Sequence, residues 1–257
     1  MITLKFYTQS IIFFTLVTVS TSCAFSNAIP KKVLTQDSNL KLASIKYEPP
    51  PPPPTSGEPT QRGAGGGGRG CEPIALVPKI LDKEGSYLWG QTVAERPQFW
   101  FVLPRKLTKK DAVTFVLEKP GKEIYKTTLK SEIPKGIISF TIPKQIPPLQ
   151  IGKTYSWSLS LSCDFETLED KPGEVQGTIQ RVAISTQLKN QLAGAKTPVE
   201  QANAYAKNGI WFDTLTTIAV NMRGQKPKDV SIAWNQLLQQ VNLEKAAPLP
   251  INNCCNN

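Results

Sequence analysis

The run RGAGGGGRGC, residues 62–71, is the first stretch whose residue types and spacing suggest chemistry. It contains G-x-G-x-x-G twice, at Gly63-Gly65-Gly68 and at Gly65-Gly67-Gly70. Bare backbone amides in such a loop can cradle phosphate. The context removes that reading. A dinucleotide fingerprint follows a strand and opens a helix, whereas here polyproline precedes the glycines and the strand-like CEPIALVP follows them. A P-loop needs G-K-[ST], and this run ends in Gly70-Cys71. The stretch reads as a flexible tether with two fixed charges. Arg62 and Arg69 are candidate binding residues for an anionic partner.

Histidine is absent from the 257 residues. That excludes Ser-His-Asp and Cys-His nucleophile pairs, H-E-x-x-H metal sites and imidazole proton shuttles. An enzyme would have to work with carboxylates, Lys, Tyr or Ser alone. The loop CDFETLEDKPGE carries Asp164, Glu166, Glu169, Asp170 and Glu174. Its spacing is not that of an EF-hand, so a solvated acidic turn is expected rather than a Ca²⁺ site. A glycosidase-type carboxylate pair would need two acids facing each other across a groove, and nothing in the sequence marks which two. No catalytic residue, metal ligand or cofactor site is therefore assigned. The five tryptophans, Trp89, Trp100, Trp157, Trp211 and Trp234, are expected mainly in the core. Trp100 is the candidate exception, because it points away from Phe99 and Phe101 on its strand and could offer a stacking face to a ligand.

The formal net charge is +10, densest in PRKLTKK with Arg105, Lys106, Lys109 and Lys110. A solvated basic loop is expected there, with an anion-binding patch as the alternative. No zinc finger, recognition helix or aromatic RNA-binding motif accompanies it, so nucleic acid is not an expected partner.

The N-terminus reads as a secretory leader. Lys5 supplies the positive start, residues 11–19 a short apolar run, and Ser26-Asn27-Ala28 a small-residue cleavage site. Lipid anchoring at Cys23 and an uncleaved anchor are the alternatives. The apolar run is too short to span a bilayer, and no later segment is a candidate span. An extracytoplasmic destination permits disulfides. Cys71, Cys163, Cys254 and Cys255 then remain, with three possible pairings. Cys71 opens the folded region and Cys163 ends a strand, so Cys71–Cys163 is the expected bridge, with two buried free thiols as the alternative. The pairing of Cys254 and Cys255 stays open.

The elements around these residues follow from periodicity. Residues 29–70 show none, and six prolines at 49–54 followed by the glycines describe a disordered linker. From Cys71 onward the period is two. RPQFWFVLP alternates Phe99 and Phe101 with Trp100 and Val102, and GKTYSWSLSLSC alternates Tyr155, Trp157, Leu159, Leu161 and Cys163 with Thr and Ser. Pro120-Gly121 suits the middle of a type II turn in a hairpin. Residues 71–183 are thus expected to form an antiparallel Ig-like β-sandwich of about 7–8 strands. Residues 184–245 switch to the helical period and are expected to form a C-terminal helical hairpin or bundle of 3–4 helices. Thr197-Pro198-Val199-Glu200 is a capping box with Pro at the first helical position, and Asn208-Gly209 is a C-cap. Phe212, Leu215 and Ala219 make one apolar stripe; Ile232, Leu237, Leu238 and Val241 make another. Residues 246–257 are expected to be a disordered tail.

The order of these signals resembles a known family. A Pro-run, an Arg/Gly segment ending in RGC, ALVP, RPQFWFVLP, GKTYSWSLSLSC, QGTIQR and AKNGIWFDTL succeed one another as in the cyanobacterial domain-of-unknown-function 928 family, over roughly residues 49–243. The resemblance implies an extracytoplasmic protein and carries no activity or functional residue with it. Tyr205, Gly209, Phe212, Leu215, Ala219 and Pro227 also lie near tetratricopeptide spacing, but one unit is no array. The function expected is a non-catalytic envelope module whose partner is an envelope protein or an anionic glycan. The alternative is a hydrolase or transferase that acts on envelope polysaccharide through carboxylates without histidine.

Overall fold

The computed structural model describes residues 44–51, 71–82, 85–164, 173–224 and 226–255. Within them nine strands precede four helices. The strands are β1 (Ile74–Ala75), β2 (Lys79–Asp82), β3 (Gly85–Thr92), β4 (Gln98–Leu103), β5 (Ala112–Lys119), β6 (Lys122–Leu129), β7 (Gly136–Thr141), β8 (Thr154–Ser162) and β9 (Gly173–Arg181). The helices are α1 (Thr186–Gly194), α2 (Pro198–Lys207), α3 (Trp211–Asn221) and α4 (Lys228–Gln239). The leader, Cys23, most of the linker, Arg62, Arg69, and Glu166, Glu169 and Asp170 of the acidic loop lie outside the described residues.

Two sheets form, one in the order β1-β4-β7 and one in the order β2-β3-β9-β8-β5-β6. The neighbours β1-β4-β7 and β5-β8-β9 match the A-B-E and C-F-G strands of an immunoglobulin-type sandwich. One pair departs from the antiparallel expectation. β3 runs parallel to β9, with Trp89 opposite Thr178 and Thr92 opposite Arg181. Only strands joined by a short turn are obliged to run antiparallel, and these two are separated by the whole of the sandwich chain. The β5–β6 hairpin turns at Gly121, whose φ of +75° suits the type II position expected for it.

The sheets pack through aromatic side chains. Phe99 of β4 meets Phe115 of β5 at 4.9 Å between ring centroids, and Phe101 meets Trp157 of β8 at 5.7 Å. Phe140 of β7 stacks on Phe115 at 5.2 Å. β8 buries Tyr155, Trp157, Leu159 and Leu161 and turns its serines outward. β4 is different, because it is buried on both faces from Phe99 to Leu103. The sandwich covers one face and α3 covers the other. Phe212 of α3 also reaches the sandwich core, 5.5 Å from Phe99. Gly90 of β3 permits this approach, since a Cβ there would sit 3.1 Å from both Phe212 and Trp211. Strands and helices therefore share one core, and the described residues form one compact unit. The expected boundary near residue 184 is a change of element type within that unit.

The helices start as their caps dictate. Ser185 accepts from Leu188 N–H at α1, and Thr197 and Glu200 complete a reciprocal capping box at α2 with Pro198 in its first turn. Leu237 and Leu238 of α4 are buried, together with Val230, Ala233 and Trp234. Ile232 and Val241, expected on the same stripe, are only half-buried.

Three further segments complete the unit. Cys71 and Cys163 are bonded, with Cα atoms 6.3 Å apart across a sequence separation of 92. Residues 44–51 of the expected linker are docked as a strap on α2 and α4. Ile45 and Tyr47 are buried, Tyr47 N–H donates to Gln240 Oε1 at 2.9 Å, and Glu48 N–H donates to Ala206 O at 3.0 Å. The Tyr47 ring packs edge-on against Trp211 at 4.9 Å. Gly209, at φ +72°, lets Pro50 approach, since a Cβ would lie 2.9 Å from Pro50 Cδ. The expected disordered tail is also docked through its described part. Ile137 N–H donates to Pro250 O, and Asn252 N–H to Ile137 O, both at 2.8 Å, so the tail adds to the β7 edge. Both segments gain hydrogen bonds that an isolated polar stretch would leave to water.

Candidate functional site

The end of β3 meets the first turn of α3 at one carboxylate. Asp213 Oδ2 accepts from Thr92 Oγ1 at 2.6 Å and from Val93 N–H at 3.2 Å. Thr92 Oγ1 accepts in turn from Ala94 N–H at 3.0 Å. Burial pushes the Asp213 carboxyl up to about 6, against the downward pull of these donors. Burial also raises the nearby Tyr205 hydroxyl, and the Asp213 charge adds to that rise.

Asp213 and Tyr205 line a cleft of about 310 Å³ between α2, α3 and the start of β4. Gln98, Thr141, Thr217, Phe212 and Val220 contribute to the same lining. Gln98 Oε1 is buried without a hydrogen-bond partner. Arg96 also borders the cleft, but its guanidinium is spent on the carbonyls of Pro143, Lys144 and Ile146. One phenol, threonine side chains engaged within the chain and the apolar Ala94, Pro97, Phe212 and Val220 make a lining suited to a neutral ligand. One acidic residue belongs to this lining, and it already accepts from its own chain. A second concavity of about 420 Å³ between α1 and α2 likewise contains one acid, Glu200. Its carboxylate accepts from Lys196 and Thr197 N–H at the α2 cap.

Of the residues singled out by sequence, Tyr205 and Phe212 line this cleft, Trp100 and the basic run do not, and Arg62 and Arg69 lie outside the described residues. Trp100 is 1 % exposed and cannot serve as an open stacking platform. Its indole donates to Thr216 Oγ1 at 3.0 Å, and the Arg223 guanidinium lies 5.2 Å over its ring. α3 covers the strand face that Trp100 occupies. All five tryptophans are at most 2 % exposed. Three of the four cations of the basic run pair with acids: Arg105 with Asp111 at 2.6 Å, Lys106 with Glu132 at 3.4 Å and Lys110 with Asp164 at 3.0 Å. Burial pushes the Asp111 carboxyl up, but Thr108, the Asp164 N–H and Arg105 outweigh it and hold the group below its usual range. Among the described residues no cluster of three or more potential ligands is placed to hold a metal. Phe212, Leu215 and Ala219 of the tetratricopeptide-like spacing are buried in the protein's own core.

Asp213 and Gln98 were not legible as a site. Asp213 reads as an ordinary acid in a helical first turn, and its partner Thr92 is 121 residues away.

The sequence profile of the Domain of Unknown Function (DUF928) matches residues 60–251. No curated protein matches the chain. Among solved structures, a beta-glucuronidase of Parabacteroides merdae with glycerol in its active site aligns at 11 % identity and a TM-score of 0.24. That alignment covers 70 % of this chain and 33 % of the enzyme, so the chain spans about a third of the enzyme's length. A second structure of the enzyme aligns at 11 % identity and a TM-score of 0.25, covering 69 % and 28 %. Among the described residues no helix is long and apolar enough to cross a membrane.

Proposed function

The chain belongs to the DUF928 family, and from that premise we propose that it is a non-catalytic extracytoplasmic envelope module that binds a glycan or another protein. The observation that carries this reading is the cleft between α3 and β4. Its lining presents the Tyr205 phenol with Gln98 and Val220 beside it, while its acidic residue braces β3 against α3. A hydrolase of the carboxylate type would need a second acid across the cleft, and among the described residues no other acidic side chain lines it.

The leader-like sequence at residues 1–28 and the Cys71–Cys163 bridge support placement outside the cytoplasm, where disulfides persist. The cyanobacterial origin implied by the resemblance belongs to the same reading. Arg62 and Arg69, on the glycine-rich stretch, are assigned to an anionic glycan partner. Replacing both with Gln should weaken retention of the mature protein on anionic envelope material, and equal retention would sink that assignment.

The test of the cleft is titration of the purified mature protein with envelope glycan fragments, followed by calorimetry and by release of reducing ends. Binding without release, weakened at least about tenfold in Gln98→Ala or Tyr205→Ala, is the expected outcome. Release of reducing ends that disappears in Asp213→Asn would overturn the non-catalytic reading. If the glycans fail to bind, envelope extract passed over the immobilised protein tests the protein-partner arm. Failure of both arms removes the binding reading.

A further inference from the structure

The two disulfides of this protein do different physical work. Cys71–Cys163 spans 92 residues, and Cys71 is fully buried. A cross-link of that span restricts the unfolded chain strongly. The backbone around it is also fixed: Gly173 packs so tightly that a Cβ would run into the Cys71 carbonyl. Cys254–Cys255 joins neighbours in sequence. It closes no loop beyond its own peptide, so chain entropy gives no comparable reason for it. Both cysteines are half-exposed, and they lie within three residues of the last backbone hydrogen bond that ties the tail to β7. Cys255 has φ +73°, a left-handed conformation that side-chain-bearing residues rarely adopt. Opening the ring removes the constraint that keeps it there.

We propose that Cys254–Cys255 is a thiol–disulfide exchange site, and that its reaction partner is a dithiol reductant of the extracytoplasmic compartment. A thiolate of the reductant attacks one Sγ, the Sγ–Sγ bond breaks, and the departing sulfur takes a proton. The second thiol of the reductant then resolves the mixed disulfide. The protein gains two electrons and two protons as Cys254 and Cys255 thiols, and the reductant leaves as its own cyclic disulfide. Cys71–Cys163 stays closed through this cycle. Cys163, Cys254 and Cys255 are all half-buried, so burial separates the bridges only at Cys71; the pair that closes no loop is the exchangeable one, and the bridge anchored at the buried Cys71 is structural.

The experiment uses the mature protein, purified without reductant and titrated with dithiothreitol under native conditions. Free thiols are trapped by alkylation and located by peptide mass spectrometry. Cys254 and Cys255 should be labelled together at a dithiol concentration roughly tenfold or more below that which opens Cys71–Cys163. Re-oxidation should return the mass of the closed pair. Three results would overturn the proposal: thiols already free at 254 and 255 before reductant is added, simultaneous opening of both bridges, or prior opening of Cys71–Cys163. A Cys254→Ala/Cys255→Ala variant supplies the control. Its melting temperature should match that of the parent, and a large drop would make the pair structural instead.

Discussion

Asp213 sits at the joint between β3 and α3 with a carboxyl raised to about 6 by burial. An unfolded aspartate titrates near 3.9. Between those values the folded chain holds a proton that the unfolded chain has released. Stability from this group is therefore complete below about pH 4 and is lost as pH rises through 6. The size is on the order of 3 kcal/mol at most, from about 1.4 kcal/mol per pH unit. Asp213→Asn keeps an acceptor oxygen for Thr92 and Val93 and removes the charge. Urea midpoints between pH 4 and 7.5 should fall for the parent and stay flatter for the variant; parallel profiles would exclude Asp213 as the titrating group. Asp111 works in the opposite sense, since its lowered carboxyl loses stability only as pH falls below the usual Asp range. Two glycines give a second contrast. Gly173→Ala meets the Cys71 backbone, which cannot yield, and should cost about 3 kcal/mol or more. Gly194→Ala meets nothing within 4 Å and should be neutral or stabilise by up to about 1 kcal/mol. Thermal melts of the two variants check both signs.

The elements divide by how local their causes are. The α2 capping box involves residues three apart, and it was legible as Thr197-Pro198-Val199-Glu200. Thr197→Ala should cost about 1 kcal/mol, measurable as a shift in the denaturant midpoint. The alternation of β8 was equally local. The strap at residues 44–51 was not legible. Its backbone bonds to Gln236 and Gln240 span 191 and 193 residues, and its own composition is that of a linker. Tyr47→Ala should lower stability by about 2–4 kcal/mol through the lost packing against Trp211. Lys46→Ala, one residue earlier and solvent-facing, should change little. Equal melts for Tyr47→Ala and the parent would mean that the strap is not docked in solution. The tail at Pro250 and Asn252 was missed for the same reason, since its partner is the β7 edge.

At the scale of the whole molecule, one bridge and one shared core hold the strands and helices together. The Cys71–Cys163 bond should contribute about 4 kcal/mol through the unfolded chain. A Cys71→Ala/Cys163→Ala double variant, which leaves no unpaired thiol, should lose about that much in equilibrium unfolding. An unchanged midpoint would show that the bond does not restrict the unfolded chain. The shared core also explains why Trp100 is buried although it lies opposite Phe99 and Phe101 on β4. A strand pattern tells which residues share a face, but it does not tell what lies over each face.

From sequence alone came the element types, the immunoglobulin-type sandwich, the helix caps and the Cys71–Cys163 pairing, because period, turn chemistry and cysteine placement act over a few residues or in one-dimensional order. Tertiary structure alone decided the parallel β3–β9 pair, the burial of Trp100 under α3 and the docking of strap and tail. It also decided the meeting of Thr92 with Asp213 beside Gln98. Each of these depends on which distant surface arrives opposite, and that is set by how the layers pack.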